Sequence, residues 1–86
     1  KRDAYLQVKE SCGLRDEEIL YMGDELFDIP ILMKAGFSAT VQESGIEVKE
    51  VCDYITETPA GMGAAREVID LVRIAKGLNV SIPLFE

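Results

Sequence analysis

The sequence predicts an α/β domain in which helices cover a parallel sheet, with about three strands and four helices. Three observations predict it. Short apolar runs alternate with segments of helical periodicity in the order α-β-α-β-α-β-α, the pattern of strands joined by helical crossovers. The strand-like runs are short and mostly apolar, as expected of strands covered on both faces. Three of the helical segments run into a glycine, at Gly13, Gly36 and Gly77, where a left-handed residue can end a helix. Doubly wound domains normally carry about five or six strands, so the pattern reads as half of a sheet.

The elements follow in order. Residues 1–12 place Ala4, Tyr5, Val8 and Cys12 on one helical stripe, with Gly13 as its stop. Residues 15–18 form a charged turn. Ile19-Leu20-Tyr21-Met22 reads as a buried strand that breaks at Gly23-Asp24-Glu25. Asp28 is placed to cap a helix with Pro30 in its first turn and Gly36 at its end. A second strand covers 37–41. Ser44 is a candidate cap for a short helix reaching about Cys52, and 53–56 form the third strand. After the loop Thr58-Pro59-Ala60-Gly61, residues 63–76 make the best helix, with Ala64, Val68, Leu71, Val72 and Ala75 on one face. Residues 1–77 thus form the α/β unit. Residues 78–86 are an apolar tail carrying Leu78, Val80, Ile82, Leu84 and Phe85, broken by Pro83; it is either frayed or a contact for another subunit.

Composition narrows the function. The chain has 86 residues, 9 basic and 16 acidic, for a net charge of −7. That balance, without a Lys/Arg cluster, argues against nucleic acid and anionic membranes as partners. It suits either carboxylates gathered around a cation or plain surface acidity for solubility. With no His and only Cys12 and Cys52, a zinc site is excluded. Both thiols fall at apolar positions, so buried, reduced cysteines in a cytoplasmic protein are expected, with a single disulfide left open. No apolar run approaches membrane-spanning length, and no signal-peptide core opens the sequence.

In open parallel sheets, ligands bind at the carboxyl ends of the strands. The first strand ends in Gly23-Asp24-Glu25-Leu26-Phe27-Asp28. Three carboxylates this close repel one another unless a cation compensates, and hard oxygen ligands suit Mg²⁺; a solvated acidic turn is the other reading. Gly61-Met62-Gly63 begins like a dinucleotide fingerprint, but Arg66 stands where the third glycine belongs. It remains a candidate anion site at a helix start. There is no phosphate-binding G-x-x-x-x-G-K-[ST] loop, and the spacing rules out a calcium-binding EF-hand.

The run Ile19-Leu20-Tyr21-Met22-Gly23-Asp24-Glu25-Leu26-Phe27-Asp28-Ile29-Pro30 resembles the fourth motif of the haloacid dehalogenase superfamily of phosphatases. Within it, the likeness is to the 3-deoxy-D-manno-octulosonate 8-phosphate (KDO 8-phosphate) phosphatases. Ala35-Gly36-Phe37-Ser38, Cys52-Asp53-Tyr54-Ile55-Thr56 and Ala60-Gly61-Met62-Gly63-Ala64-Ala65-Arg66-Glu67 are similar to that subgroup's later motifs at matching spacing. The resemblance implies a Rossmann-like three-layer sheet of which this chain is the C-terminal half, Mg²⁺ as cofactor, and hydrolysis of a phosphorylated sugar acid. It implies Asp24 as a metal ligand, Glu25 and Asp28 as its outer neighbours, and Lys1 as the catalytic ammonium that neutralises phosphate charge. It places Gly61, Met62 and Gly63 at the substrate, and it implies a cytoplasmic homotetramer in lipopolysaccharide biosynthesis.

Three departures stand out. Glu25 replaces an aspartate, Gln42-Glu43-Ser44-Gly45 replaces the family's A-D-A turn, and Met62 replaces an arginine. The family's nucleophile motif, D-x-D-x-[TV], is absent from the sequence. The aspartyl-phosphate mechanism therefore needs a nucleophile upstream of these residues, and the chain alone is expected to be inactive. The alternative is a non-catalytic assembly or regulatory module, like the domain that trails some sialic acid activating enzymes.

Overall fold

The computed structural model describes residues 2–77. Helix α1 (Arg2–Ser11) leads through a 3₁₀ turn (Asp16–Glu18) into strand β1 (Leu20–Met22). A second 3₁₀ turn (Leu26–Asp28) runs into α2 (Ile29–Lys34), followed by β2 (Phe37–Thr40), α3 (Ile46–Val51), β3 (Tyr54–Ile55) and α4 (Ala64–Ala75). The strands lie in the order β1-β2-β3, all parallel, with Leu20 opposite Phe37, Met22 opposite Ala39 and Ala39 opposite Tyr54. The three-strand parallel sheet with four helices matches the α/β class read from the sequence. The apolar tail, residues 78–86, lies outside the described residues.

The core is small: Tyr5, Ile31, Leu32, Ala39, Val41, Val48, Ala64 and Val68 are its buried apolar residues. Central strand β2 carries polar groups into it, since Ser38 and Thr40 are buried. Such groups are tolerated only when hydrogen-bonded. The Ser38 N–H and hydroxyl donate to Asp53 (2.9 and 3.2 Å), Thr40 bonds the Ser44 hydroxyl, and the Thr56 hydroxyl donates to the Thr58 carbonyl (2.8 Å).

Three expectations are corrected. Asp28 makes no side-chain cap on α2; the preceding 3₁₀ turn leaves its backbone helical, and its carboxylate turns back instead. Ser44 does not cap α3, whose N-cap is Gly45, because the Ser44 hydroxyl is spent inside the core on Thr40. Cys12 is exposed and Cys52 half-buried, both as free thiols; Cys12 stays outside because, among its described side chains, α1 buries only Tyr5 and leaves Val8 56% exposed. On α4, burial is confined to Ala64 and Val68 near its start, and Leu71 and Ala75 are exposed.

Gly36 is required by a close approach. A Cβ there would stand 2.2 Å from the Glu17 carbonyl oxygen, and the Gly36 N–H donates to the Asp16 carbonyl (2.8 Å). That contact seats the end of α2 on the turn before β1. Tyr5 and Lys9 of α1 reach the same turn through Asp16, at 2.6 and 3.1 Å.

Candidate functional site

Beyond Met22 the chain turns across the carboxyl end of the sheet. Gly23 has no room for a side chain, since a Cβ would lie 2.6 Å from Cγ and Oδ2 of Asp28. Asp28 is fully buried. Its Oδ2 accepts the N–H groups of Asp24 (3.2 Å) and Glu25 (3.1 Å), and its Oδ1 accepts the Tyr21 hydroxyl (2.9 Å). The loop is thus wrapped around one of its own carboxylates. Burial pushes the Tyr21 phenol up to about 12, and the bond to Asp28 adds to the shift. The Tyr21 ring in turn meets Tyr5 of α1 edge-on, with centroids 6.0 Å apart.

This geometry corrects one argument. Asp24, Glu25 and Asp28 do not crowd together to await a cation: Asp28 is inside, while Asp24 and Glu25 are exposed. The Asp24 and Glu25 N–H groups and the Tyr21 hydroxyl help offset the burial of Asp28. Among the described residues, no three His, Cys, Asp or Glu side chains converge as a metal site. Asp24 alone of the three carboxylates lines the cleft at the strand ends. An exposed carboxylate oxygen is a hard donor that fits Mg²⁺ as one ligand of a set.

The cleft holds about 380 Å³ and is lined by Gly23 and Asp24 after β1, Val41 after β2, and Gly61, Gly63 and Ala64 at the start of α4. The structure therefore brings Asp24 and the two loop glycines to one place. Gly61 and Gly63 adopt left-handed backbone (φ +78° and +100°), which a side chain rarely tolerates. Met62 between them is 73% exposed and does not line the cleft. Glu25 does not line it either, and Lys1 lies outside the described residues.

Two carboxylates hold the glycine loop. Glu67, in the first turns of α4, accepts the Tyr54 hydroxyl (2.6 Å) and the N–H groups of Glu57 (2.9 Å) and Thr58 (2.8 Å). Hydrogen bonds from the Thr58 side chain, the Tyr54 hydroxyl and these two N–H groups draw the Glu67 carboxyl down to about 2. From the other side, Glu43 Oε2 accepts the Ala60 N–H (2.9 Å). Sequence reading passed over Tyr21, Glu43 and Glu67 as site-building residues. The available signals were the position of Glu67 inside a motif and of Glu43 inside a turn that departs from its family.

A parallel α/β sheet with an acidic loop and a glycine loop facing each other at the strand ends defines an open α/β protein with its candidate site at that edge. The chain belongs to the haloacid dehalogenase-like hydrolase family, whose model matches residues 1–68. It is 35% identical over 74 residues to a 3-deoxy-D-manno-octulosonate 8-phosphate phosphatase of Escherichia coli, covering 86% of this chain and 39% of that protein. Its fold matches a solved hydrolase of Legionella pneumophila described as subfamily III A, with a TM-score of 0.85 and 39% identity over 90% of this chain and 42% of the other. It also matches the Moraxella catarrhalis 3-deoxy-D-manno-octulosonate 8-phosphate phosphatase solved with magnesium, phosphate and KDO, with a TM-score of 0.82 and 33% identity over 87% and 43% of the two chains. The chain spans about two fifths of the length of these relatives.

Proposed function

We propose that this chain is the C-terminal part of a Mg²⁺-dependent phosphatase acting on a phosphorylated sugar acid of the KDO 8-phosphate type. The observation that carries the reading is Asp24 facing the Gly61–Gly63 loop across one cleft at the strand ends, in a chain of this family. The Moraxella relative, solved with magnesium, phosphate and KDO, supports both the cofactor and the substrate class.

The roles divide among few residues. Asp24 would hold Mg²⁺ as one carboxylate ligand, with the remaining ligands supplied from outside these residues. The chemistry that a bound Mg²⁺ supplies is charge neutralisation at the phosphoryl oxygens. Asp28 fixes the Asp24 and Glu25 backbone through their N–H groups. Lys1 supplies a second positive charge to the phosphate, and the nucleophilic aspartate that carries the phosphoryl group lies upstream. Glu25 tunes the acidic loop from its exposed edge. The 57–63 loop faces the sugar acid, with Met62 in place of an arginine changing how its anionic end is met. The active form is a cytoplasmic homotetramer, serving lipopolysaccharide synthesis.

The test is Mg²⁺-dependent release of phosphate from KDO 8-phosphate by the whole protein that carries this chain. Asp24→Asn is expected to lower turnover on the order of a thousandfold and to abolish its Mg²⁺ dependence; retained activity with unchanged dependence sinks the assignment. One observation favours a second reading, a non-catalytic assembly module: Met62 is a large, exposed apolar side chain beside the cleft. On that reading the whole wild-type protein releases no phosphate from any sugar-acid phosphate offered with Mg²⁺.

A further inference from the structure

We propose that Glu67 and Glu43 are positioning residues for the 57–63 loop, holding its glycines in place across the cleft from Asp24. The loop leaves β3 at Thr56 and has no regular structure until α4 begins at Ala64. Its backbone amides have no ladder or helix partners and are met mainly by side chains instead. Glu67 takes those of Glu57 and Thr58, and Glu43 takes that of Ala60. The Met62 N–H closes a turn on the Pro59 carbonyl (3.1 Å). Four successive ties therefore precede Gly63.

The two carboxylates come from different parts of the fold. Glu67 rides on α4, whose Ala64 and Val68 are anchored in the core. Its grip on the Tyr54 hydroxyl also fastens it to β3. Glu43 stands in the turn after β2, next to Ser44, which the Thr40 bond secures. The loop is thus referenced both to β2, which pairs with the strand that presents Asp24, and to β3 beyond it. Displacement of a positioned group by about 1 Å can cost roughly a hundredfold in rate, so ties of this kind bear on function and not only on stability. Neither side chain lines the cleft, so their effect passes through the loop.

The inference rests on the phosphatase reading, and the experiment separates the two. In the whole protein, KM and kcat for KDO 8-phosphate and the Mg²⁺ dependence are measured for wild type, Glu67→Gln, Glu43→Ala and Glu43→Gln. Glu67→Gln cannot accept all the bonds that Glu67 accepts, and KM is expected to rise roughly tenfold or more with the Mg²⁺ dependence unchanged. Glu43→Ala is expected to raise KM less, and Glu43→Gln, which keeps an oxygen acceptor, to recover most of that loss. Amide exchange at Glu57, Thr58 and Ala60 is followed in parallel and should accelerate only where the corresponding tie is cut. Faster exchange with KM unaltered would make the ties structural only and overturn the proposal while leaving the phosphatase reading intact. A wild type without phosphatase activity would overturn the reading itself, and this proposal with it.

Discussion

At the scale of single residues, the site is decided by where one carboxylate points. Asp28 turns inward, and by accepting the Asp24 and Glu25 N–H groups it gives the acidic loop its shape. That inward turn is possible only because residue 23 has no side chain. Gly23→Ala puts a methyl group 2.6 Å from the Asp28 carboxyl, and Asp28 cannot yield without losing three hydrogen bonds in a buried place. The substitution is expected to cost about 1–3 kcal/mol, the usual range for overpacking, read as a shift in the urea midpoint at constant slope. An unchanged midpoint would mean that the loop has slack which the geometry denies. The Tyr21 phenol belongs to the same unit. Its folded value of about 12 exceeds the ordinary 10, so its contribution is complete below pH 10 and is lost as pH rises through 12.

At the scale of elements, the helices and strands were legible in the sequence because their periodicities are local. Gly13, Gly36 and Gly77 mark three helix ends, and the strands fall within a residue or two of their expected places. The caps were less legible, since a cap depends on what else competes for the side chain. Ser44 has the right chemistry for capping α3, yet the core's need to satisfy Thr40 takes it away. The site was legible to a similar degree. Asp24, Gly61 and Gly63 meet at one cleft as their motifs suggest, whereas the cluster of three carboxylates dissolves once Asp28 finds N–H donors. Partners 9 to 17 residues apart, such as Glu67 with Thr58 and Glu43 with Ala60, have no local signature at all. The tie between α4 and β3 gives this scale its prediction. The Glu67 carboxyl sits at about 2 against an ordinary 4.5. A carboxylate depressed by folding adds stability that is complete above 4.5 and lost as pH falls through about 2. An NMR titration of the Glu67 carboxyl carbon in the folded protein should show its midpoint near 2. A midpoint in the ordinary glutamate range would mean that these hydrogen bonds do not hold it in solution.

At the scale of the whole molecule, the sheet is narrow and one of its edges is apolar. Among the described residues β1 pairs only with β2, and Leu20 on that edge is 36% exposed. Beside it, Ala4, Tyr5, Val8 and Ile19 continue the apolar surface into a groove of about 420 Å³. An unpaired strand flanked by apolar side chains is a template for pairing with another strand. In a longer protein, as the family relatives are, further strands would occupy that edge. Among the described residues nothing pairs with it, so the 86 residues produced alone are expected to cover it by association or to remain marginally stable, since small domains bury only about 60% of their unfolded surface. Sedimentation of the isolated chain is therefore expected to show association at micromolar concentration. Leu20→Lys, which puts a charge on the edge, should shift the population toward monomer while far-UV circular dichroism shows the helices retained. A chain that is monomeric and folded without the substitution would mean that the β1 edge is already protected, and the case for further strands beside it would fall.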